Sequence, residues 1–142
     1  MKFQFKLFLL LIVMVAASCS GDEENTPTKP IDDDFEPVEE ELVLQGMLMG
    51  VGHSVSGTVK VYEQGSDRTV VLDPFNSQNG PDLKVYLSKD VGASEYLNLG
   101  ALKSTMGKQS YAIPSSADLS SYTYVHIWCE EFSVEFARAP LQ

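Results

Sequence analysis

The residues best suited to redox or ligand chemistry in this sequence are one cysteine and two histidines. Cys129 is the single cysteine apart from Cys19 near the N-terminus, and the histidines are His53 and His126. A cysteine thiolate reacts with disulfides and binds metals, and both thiolate and imidazole serve as axial ligands of haem iron. These residues therefore indicate two kinds of redox site, a reactive thiol and a ligated cofactor.

The sequence around Cys129 is typical of a β-strand. Residues 122–129 alternate so that Cys129 and His126 point to opposite faces. The carboxylates of Glu130 and Glu131 follow directly and disfavour a negatively charged thiolate. Free cysteines are also commonly small buried residues of a core. From the residues alone, Cys129 is either a redox residue or a core residue.

His53 lies in a glycine-rich turn, residues 50–57, that leads into a strand. In such a turn a histidine either hydrogen-bonds the backbone or serves as a second axial haem ligand opposite Cys129. The sequence contains no Cys-x-x-Cys-His motif, which excludes covalent haem attachment of that type. Two scattered histidines do not make a zinc site, so we expect no metal centre.

The signatures of common hydrolases and nucleotide-binding enzymes are absent from the sequence. Residues 52–56 lack the last glycine of a Gly-x-Ser-x-Gly motif, and no glycine-rich nucleotide-binding motif occurs. The adjacent glutamates 130–131 face opposite ways on a strand and cannot act as a paired acid and base. The aromatic residues Tyr122, Tyr124 and Trp128 form either a sugar-binding strip or ordinary strand packing. Enzymatic activity stays an open question at this point.

From Leu42 to the C-terminus the hydrophobic residues recur at every second position, which is the period of a β-strand. Residues 63–67 predict a hairpin turn between two of these strands. No long amphipathic helix is indicated, although residues 115–121 predict a single helical turn. About eight short strands predict an all-β fold, either an antiparallel β-sandwich or a barrel, with little helix.

Residues 1–18 have the pattern of a bacterial lipoprotein signal peptide. Two lysines precede an apolar run, residues 7–15, that is too short to span a bilayer. The small residues 16–18 then precede Cys19 and resemble a lipobox, which implies cleavage before Cys19 and lipid attachment to its sulfur. The alternative is an ordinary soluble secreted protein.

Residues 19–41 form a predicted acidic, lipidated tether. Residues 20–41 hold ten acids against one base, and they account for most of the formal net charge of −10. Such a segment buries too little apolar surface to fold, so we expect disorder. Residues 20–24 resemble the acidic signal that sends some lipoproteins to the cell surface; the alternative is an outer-membrane anchor that faces the periplasm. The chain has no clustered basic surface, so we expect a membrane and an unknown redox or protein partner, and no nucleic acid.

Several segments of the predicted domain, residues 42–142, together resemble one family. They are HSVSGTV (53–59), GPDLKVYLS (80–88), LNLGALK (97–103), GKQSYAIP (107–114), VHIWC (125–129) and FSVEF (132–136). This pattern resembles the DM-thirteen domain family, a secreted electron-transfer domain that accompanies DOMON domains and also occurs in bacterial lipoproteins. The resemblance runs from about Leu44 to Leu141, so we interpret residues 42–142 as a single β-rich domain.

The resemblance implies redox chemistry at a characteristic cysteine, which corresponds to Cys129. The role would be that of a bare thiol or of a ligand to a prosthetic group such as haem, with His53 as a second ligand. The acidic pair after Cys129 departs from the basic or polar residue expected there, and this weakens the bare-thiol form more than the ligand form. The second hypothesis is a non-enzymatic extracellular ligand- or protein-binding module in which Cys129 belongs only to the core.

Overall fold

The computed structural model describes residues 25–142, which are built almost entirely of β-strands. The predicted signal peptide, Cys19 and residues 20–24 lie outside the described residues. The strands are β1 (Ile31–Asp32), β2 (Leu42–Gly50), β3 (Val55–Gln64), β4 (Asp67–Ser77), β5 (Leu83–Ser88), β6 (Tyr96–Ala101), β7 (Gly107–Ile113), β8 (Tyr124–Cys129) and β9 (Val134–Pro140). The one helical element in this part of the chain is a short 3-10 helix, Glu39–Glu41. No helix among the described residues is long and apolar enough to cross a membrane.

All nine strands belong to one sheet, which is curled into a half-barrel. The strand order is β1-β7-β4-β3-β2-β9-β8-β5-β6. Every pair is antiparallel except β1, which lies parallel to β7. The prediction of an all-β fold with little helix is confirmed, and the predicted helical turn at residues 115–121 is replaced by non-helical turns.

The alternation seen in the sequence is the burial pattern of the strands. In β2, Leu44 and Leu48 point into the half-barrel, whereas Val43, Met47 and Met49 are exposed on its outer surface. Successive side chains of a strand point to opposite faces, so one face joins the core and the other meets solvent. The core inside the curled sheet is aliphatic and includes Val59, Val61, Leu72, Val85, Leu87, Val125 and Ile127.

The acidic segment before β2 is partly ordered, in contrast to the disorder predicted for residues 19–41. Thr26 is buried, and its backbone N–H donates a hydrogen bond to the carbonyl oxygen of Gly80 at 3.3 Å. Further along, β1 pairs with β7 through two residues on each strand. The stretch from Thr26 to Asp33 therefore lies against the folded domain, because its backbone completes hydrogen bonds at the edge of the sheet.

Asp33 fixes the end of this stretch to the domain. Its carboxylate accepts hydrogen bonds from Lys103 Nζ at 2.6 Å and from Ser110 Oγ at 2.8 Å. The backbone N–H of Phe35 donates a third bond to the same carboxylate at 3.0 Å. Burial acts to raise the pKa of Asp33, but the bonds from Lys103, Ser110 and Phe35 outweigh it and hold the pKa well below its usual range.

Replacing Asp33 by alanine is expected to loosen residues 25–36 without unfolding the sheet. The loss of these charge-assisted bonds costs about 1.5 kcal/mol, which corresponds to about tenfold faster amide hydrogen exchange in β1. Because the folded pKa of Asp33 is depressed, its contribution is present above the ordinary value of 3.8 and is lost as the pH falls through the lower folded value. Asp34→Ala is the matched control, since that side chain is exposed; equal exchange in both variants would contradict the assignment.

Candidate functional site

Cys129 ends β8, and its side chain is completely buried. β8 lies between β5 and β9, so Leu83 and Val134 are the cross-strand neighbours of Cys129. The side chain belongs to the apolar core cluster inside the half-barrel. A thiolate formed there would lose its hydration, and a reagent in solution cannot reach the sulfur while the fold is closed.

His53 lies half-buried in the turn between β2 and β3. Its ring stacks on the ring of Phe136, with centroids 3.6 Å apart and an interplanar angle of 9°. Its Nδ1 atom is buried without a hydrogen-bond partner among the described residues. Gly52 adopts a positive φ of 68°, which allows the tight turn. The contact with Phe136, a core residue, is therefore what holds the His53 ring.

The surroundings of Cys129 and His53 do not fit a haem group. The Cys129 side chain has no exposed surface, and one face of the His53 ring is covered by Phe136. Two open clefts of about 390 and 320 Å³ lie next to Met47 on the outer surface, and neither cleft is lined by Cys129 or His53. Within residues 25–142, no group of three His, Cys, Asp or Glu side chains is placed to hold a metal ion.

A polar network surrounds His126 on the face of β8 opposite Cys129. His126 is fully buried, and its Nε2 atom lies 2.7 Å from Ser88 Oγ. Its Nδ1 atom lies 2.8 Å from Glu135 Oε1, and Arg138 Nε lies 3.1 Å from the same oxygen. The network therefore links β5, β8 and β9 through four polar side chains.

A bulge in β9 brings Glu135 and Arg138 to the same side of the sheet. The β8–β9 register shifts by one residue beside Trp128, where Phe136 is the extra residue on β9. On a regular strand two residues three positions apart point to opposite faces. The extra residue cancels that difference, so both charged side chains reach the His126 network.

The hydrogen bonds of Ser88 fix the direction of its bond with His126. The single hydroxyl hydrogen of Ser88 is donated to the backbone carbonyl oxygen of Asp90 at 2.8 Å. Ser88 Oγ then accepts from His126 Nε2–H, and Glu135 Oε1 is the hydrogen-bond partner of Nδ1. Serine, histidine and carboxylate occur together in hydrolases, but here the serine proton points away from the imidazole and Ser88 is fully buried. The network is a buried set of hydrogen bonds and does not activate a nucleophile.

Three stacked rings, which we call the aromatic stack, lie beside this network: Tyr96, Tyr86 and Trp128. The centroids of Tyr96 and Tyr86 are 4.1 Å apart at 14°, and those of Tyr86 and Trp128 are 5.9 Å apart at 18°. Tyr86 is only 3% exposed, whereas Tyr96 is 45% exposed. The aromatic stack therefore runs from the protein surface to a buried tyrosine.

The hydroxyl of Tyr86 is bound by a carboxylate. It donates a hydrogen bond of 2.6 Å to Glu130 Oε1, and the same oxygen accepts a bond of 2.9 Å from Asn98 Nδ2. Burial, followed by the bond to Glu130, raises the pKa of Tyr86 far above its usual range. The phenol is thus held in its protonated form with a proton acceptor in direct contact.

Strand alternation separates Cys129 from His126 correctly, but it does not identify the partners of His126. Ser88 and His126 are 38 residues apart in sequence and meet because β5 pairs with β8. Glu135 reaches them only through the bulge in β9. The one local signal is that Tyr86 and Ser88 alternate onto the same face of β5. This signal does not identify the strand that pairs with β5.

Comparison with known proteins places the chain in a family. A family model described as electron transfer DM13 matches residues 48–141. The match covers about two thirds of the chain, runs from within β2 to just beyond β9, and contains the segments that carry the resemblance in the sequence. No curated protein and no solved structure matches the chain significantly.

Proposed function

The chain belongs to the DM13 family of electron-transfer domains, and on this premise we propose that it is a lipid-anchored electron-transfer module at the surface of a bacterial outer membrane. The family match over residues 48–141 carries the electron-transfer part of the proposal. The signal-like residues 1–18, Cys19 and the acidic residues 20–24 support the anchor and its surface position.

The ordered N-terminal stretch supports a short connection between lipid and domain. Thr26 packs against the domain at Gly80, so only seven peptide units separate this contact from Cys19. A fully extended chain of that length reaches at most about 25 Å. A lipid on Cys19 would therefore hold the Gly80 end of the half-barrel close to the bilayer. The distance between lipid and domain would then be shorter than a fully disordered tether allows.

In this proposal Cys129 is the redox residue and acts as a bare thiol. Its thiolate attacks a disulfide of a partner protein; the partner's S–S bond breaks, a mixed disulfide with Cys129 forms, and the second partner sulfur leaves as a thiolate. Because the side chain is fully buried, the step requires opening of the end of β8 and of the turn at residues 130–133. Burial thus makes local opening the condition for reaction.

A second candidate function is favoured by the same burial. In a non-enzymatic ligand- or protein-binding module Cys129 is only part of the core, and the packing around it serves stability. Cys129→Ala would then cost about 1 kcal/mol and leave binding intact. The two candidates differ in whether the thiol ever leaves the core.

The deciding experiment follows electron exchange and alkylation of Cys129 in protein purified from membranes. We expect alkylation in the native state to be roughly a thousandfold slower than in denaturant, because reaction depends on local opening. Spectroelectrochemical titration with soluble mediators, with glutathione disulfide present as the disulfide substrate, is then compared between the wild type and Cys129→Ala. The anchor is tested with Cys19→Ala, which should be lost from the membrane fraction. Protease treatment of intact cells then distinguishes a surface from a periplasmic orientation.

The outcomes separate the candidates. Electron exchange in the wild type that disappears in Cys129→Ala supports the thiol as the redox residue. Equal exchange in both proteins overturns that role but retains electron transfer elsewhere in the chain. Absence of exchange from both overturns the electron-transfer proposal and leaves the binding module.

A further inference from the structure

We propose that the aromatic stack carries single electrons, with Tyr86 as the relay and Glu130 as its proton acceptor. The inference rests on the electron-transfer function proposed above, but it does not involve Cys129. It assigns a site on the outer face of the sheet that is accessible in the closed fold.

The geometry of the rings suits electron transfer between them. Tyrosine and tryptophan have the most readily oxidised aromatic side chains in proteins. Tyr96 and Tyr86 lie face to face at 4.1 Å and 14°, so their π-systems are in direct contact. Trp128 continues the series on the other side of Tyr86 at 5.9 Å and 18°. Buried Tyr86 thus has an oxidisable ring on each side.

The bond from Tyr86 to Glu130 supplies the proton chemistry that oxidation of a phenol requires. A one-electron oxidant of higher potential than a phenol removes one electron from Tyr86, and the phenolic proton moves to Glu130 Oε1 across 2.6 Å. The products are a neutral tyrosyl radical and a protonated Glu130. A one-electron reductant then returns the electron, and Glu130 returns the proton.

The environment of Glu130 favours this role over simple packing. An amide would satisfy the Tyr86 hydroxyl as well as a carboxylate does, but only a carboxylate can take up the proton. Asn98 holds the accepting oxygen in place through its own hydrogen bond of 2.9 Å. The raised pKa of Tyr86 prevents loss of the proton before oxidation, so electron and proton leave together.

Exposure determines where the oxidant approaches. Tyr96 is 45% exposed and lies over Tyr86, which is 3% exposed. A soluble oxidant therefore meets Tyr96 first, and the oxidising equivalent settles on Tyr86 because its proton acceptor is already bound. The relay connects solvent with a buried residue through one ring contact.

The test is flash photo-oxidation of the purified lipoprotein by tris(bipyridine)ruthenium with a sacrificial quencher, read by electron paramagnetic resonance after freeze-quenching. We expect a tyrosyl radical in the wild type and a roughly tenfold smaller tyrosyl signal in Tyr86→Phe, which keeps the ring stacking. Glu130→Gln should slow radical formation about tenfold and abolish its solvent deuterium isotope effect, because the proton acceptor is lost. Tyr122→Phe and Glu131→Gln are the matched controls and should behave as the wild type.

An undiminished radical in Tyr86→Phe would overturn the relay, and so would equal rates in Glu130→Gln and Glu131→Gln. Loss of mediated exchange in Cys129→Ala with a normal Tyr86 radical would leave the relay in place. If no tyrosyl radical forms at Tyr86 but electron exchange at Cys129 is normal, the relay is overturned and the proposed function is kept. The failure of this inference is therefore distinguishable from failure of the proposed function.

Discussion

Replacing His126 by alanine is expected to lower the free energy of unfolding by about 3–4 kcal/mol, because the change leaves buried polar partners unsatisfied and creates a cavity. The change leaves the carboxylate of Glu135, which is only 13% exposed, with Arg138 as its remaining charged neighbour. It also deprives Ser88 Oγ of its donor and opens a void between β5 and β9. For a domain of this size the melting temperature should fall by roughly 15 °C.

The matched control for this prediction is the other histidine. His53 is half-buried and makes a ring contact with Phe136, and its Nδ1 atom has no hydrogen-bond partner among the described residues. His53→Ala should therefore cost only about 1 kcal/mol. Thermal and urea denaturation of both variants measure the two losses in the free energy of unfolding. Equal losses for the two histidines would contradict the assignment of a buried hydrogen-bond network at His126.

The contrast between the two histidines shows what the sequence can and cannot predict. Alternation along β8 is sufficient to place His126 and Cys129 on opposite faces, because the direction of a side chain depends only on its position within its own strand. The partners of His126 come from β5 and β9, and one of them arrives through a bulge at Phe136. A bulge inserts one residue without changing the hydrophobic pattern strongly, so the pattern does not reveal it.

The acidic segment before β2 illustrates a second limit of composition. Ten acids and three prolines in residues 20–41 predict disorder when the segment is considered alone. In the structure Asp33 meets Lys103 and Ser110, which lie more than 65 residues further along the chain. Order there depends on donors supplied by the domain, and average composition carries no information about such pairings.

The position of Cys129 separates the two redox sites proposed above. Its burial separates the residue implied by the family resemblance from solvent, whereas the aromatic stack reaches solvent through Tyr96. The two sites lie on opposite faces of β8, since Cys129 and Trp128 are neighbours on one strand. The thiol proposed as a redox residue and the rings proposed as a relay thus lie on opposite sides of the sheet. Glu130 links them, because it bonds Tyr86 and belongs to the turn that must open before Cys129 reacts.

Gly46→Ala is expected to destabilise the domain by about 3 kcal/mol, at the upper end of the range for overpacking. β2 and β9 join two groups of strands that are otherwise paired only among themselves. At this seam a Cβ on Gly46 would overlap the carbonyl oxygen of Pro140, a backbone atom that cannot rotate away. Backbone bonds of 3.0 Å between Gln45 and Gln142 close the seam beside it, so any separation also strains these bonds.

The effect of Gly46→Ala is measured by urea denaturation and by amide exchange across the seam. Exchange at Gln45 and Gln142 should accelerate more than exchange within β3 and β4, because the overlap lies at the β2–β9 contact and not in the hairpin. Gly92→Ala is the matched control, since a Cβ there would approach only the side-chain oxygen of Asp90, at 3.3 Å. That control should change stability by less than about 1 kcal/mol, because the loop adjusts and the unfolded chain loses entropy. A Gly46 variant as stable as the Gly92 variant would show that the two strand groups do not depend on close approach at this glycine.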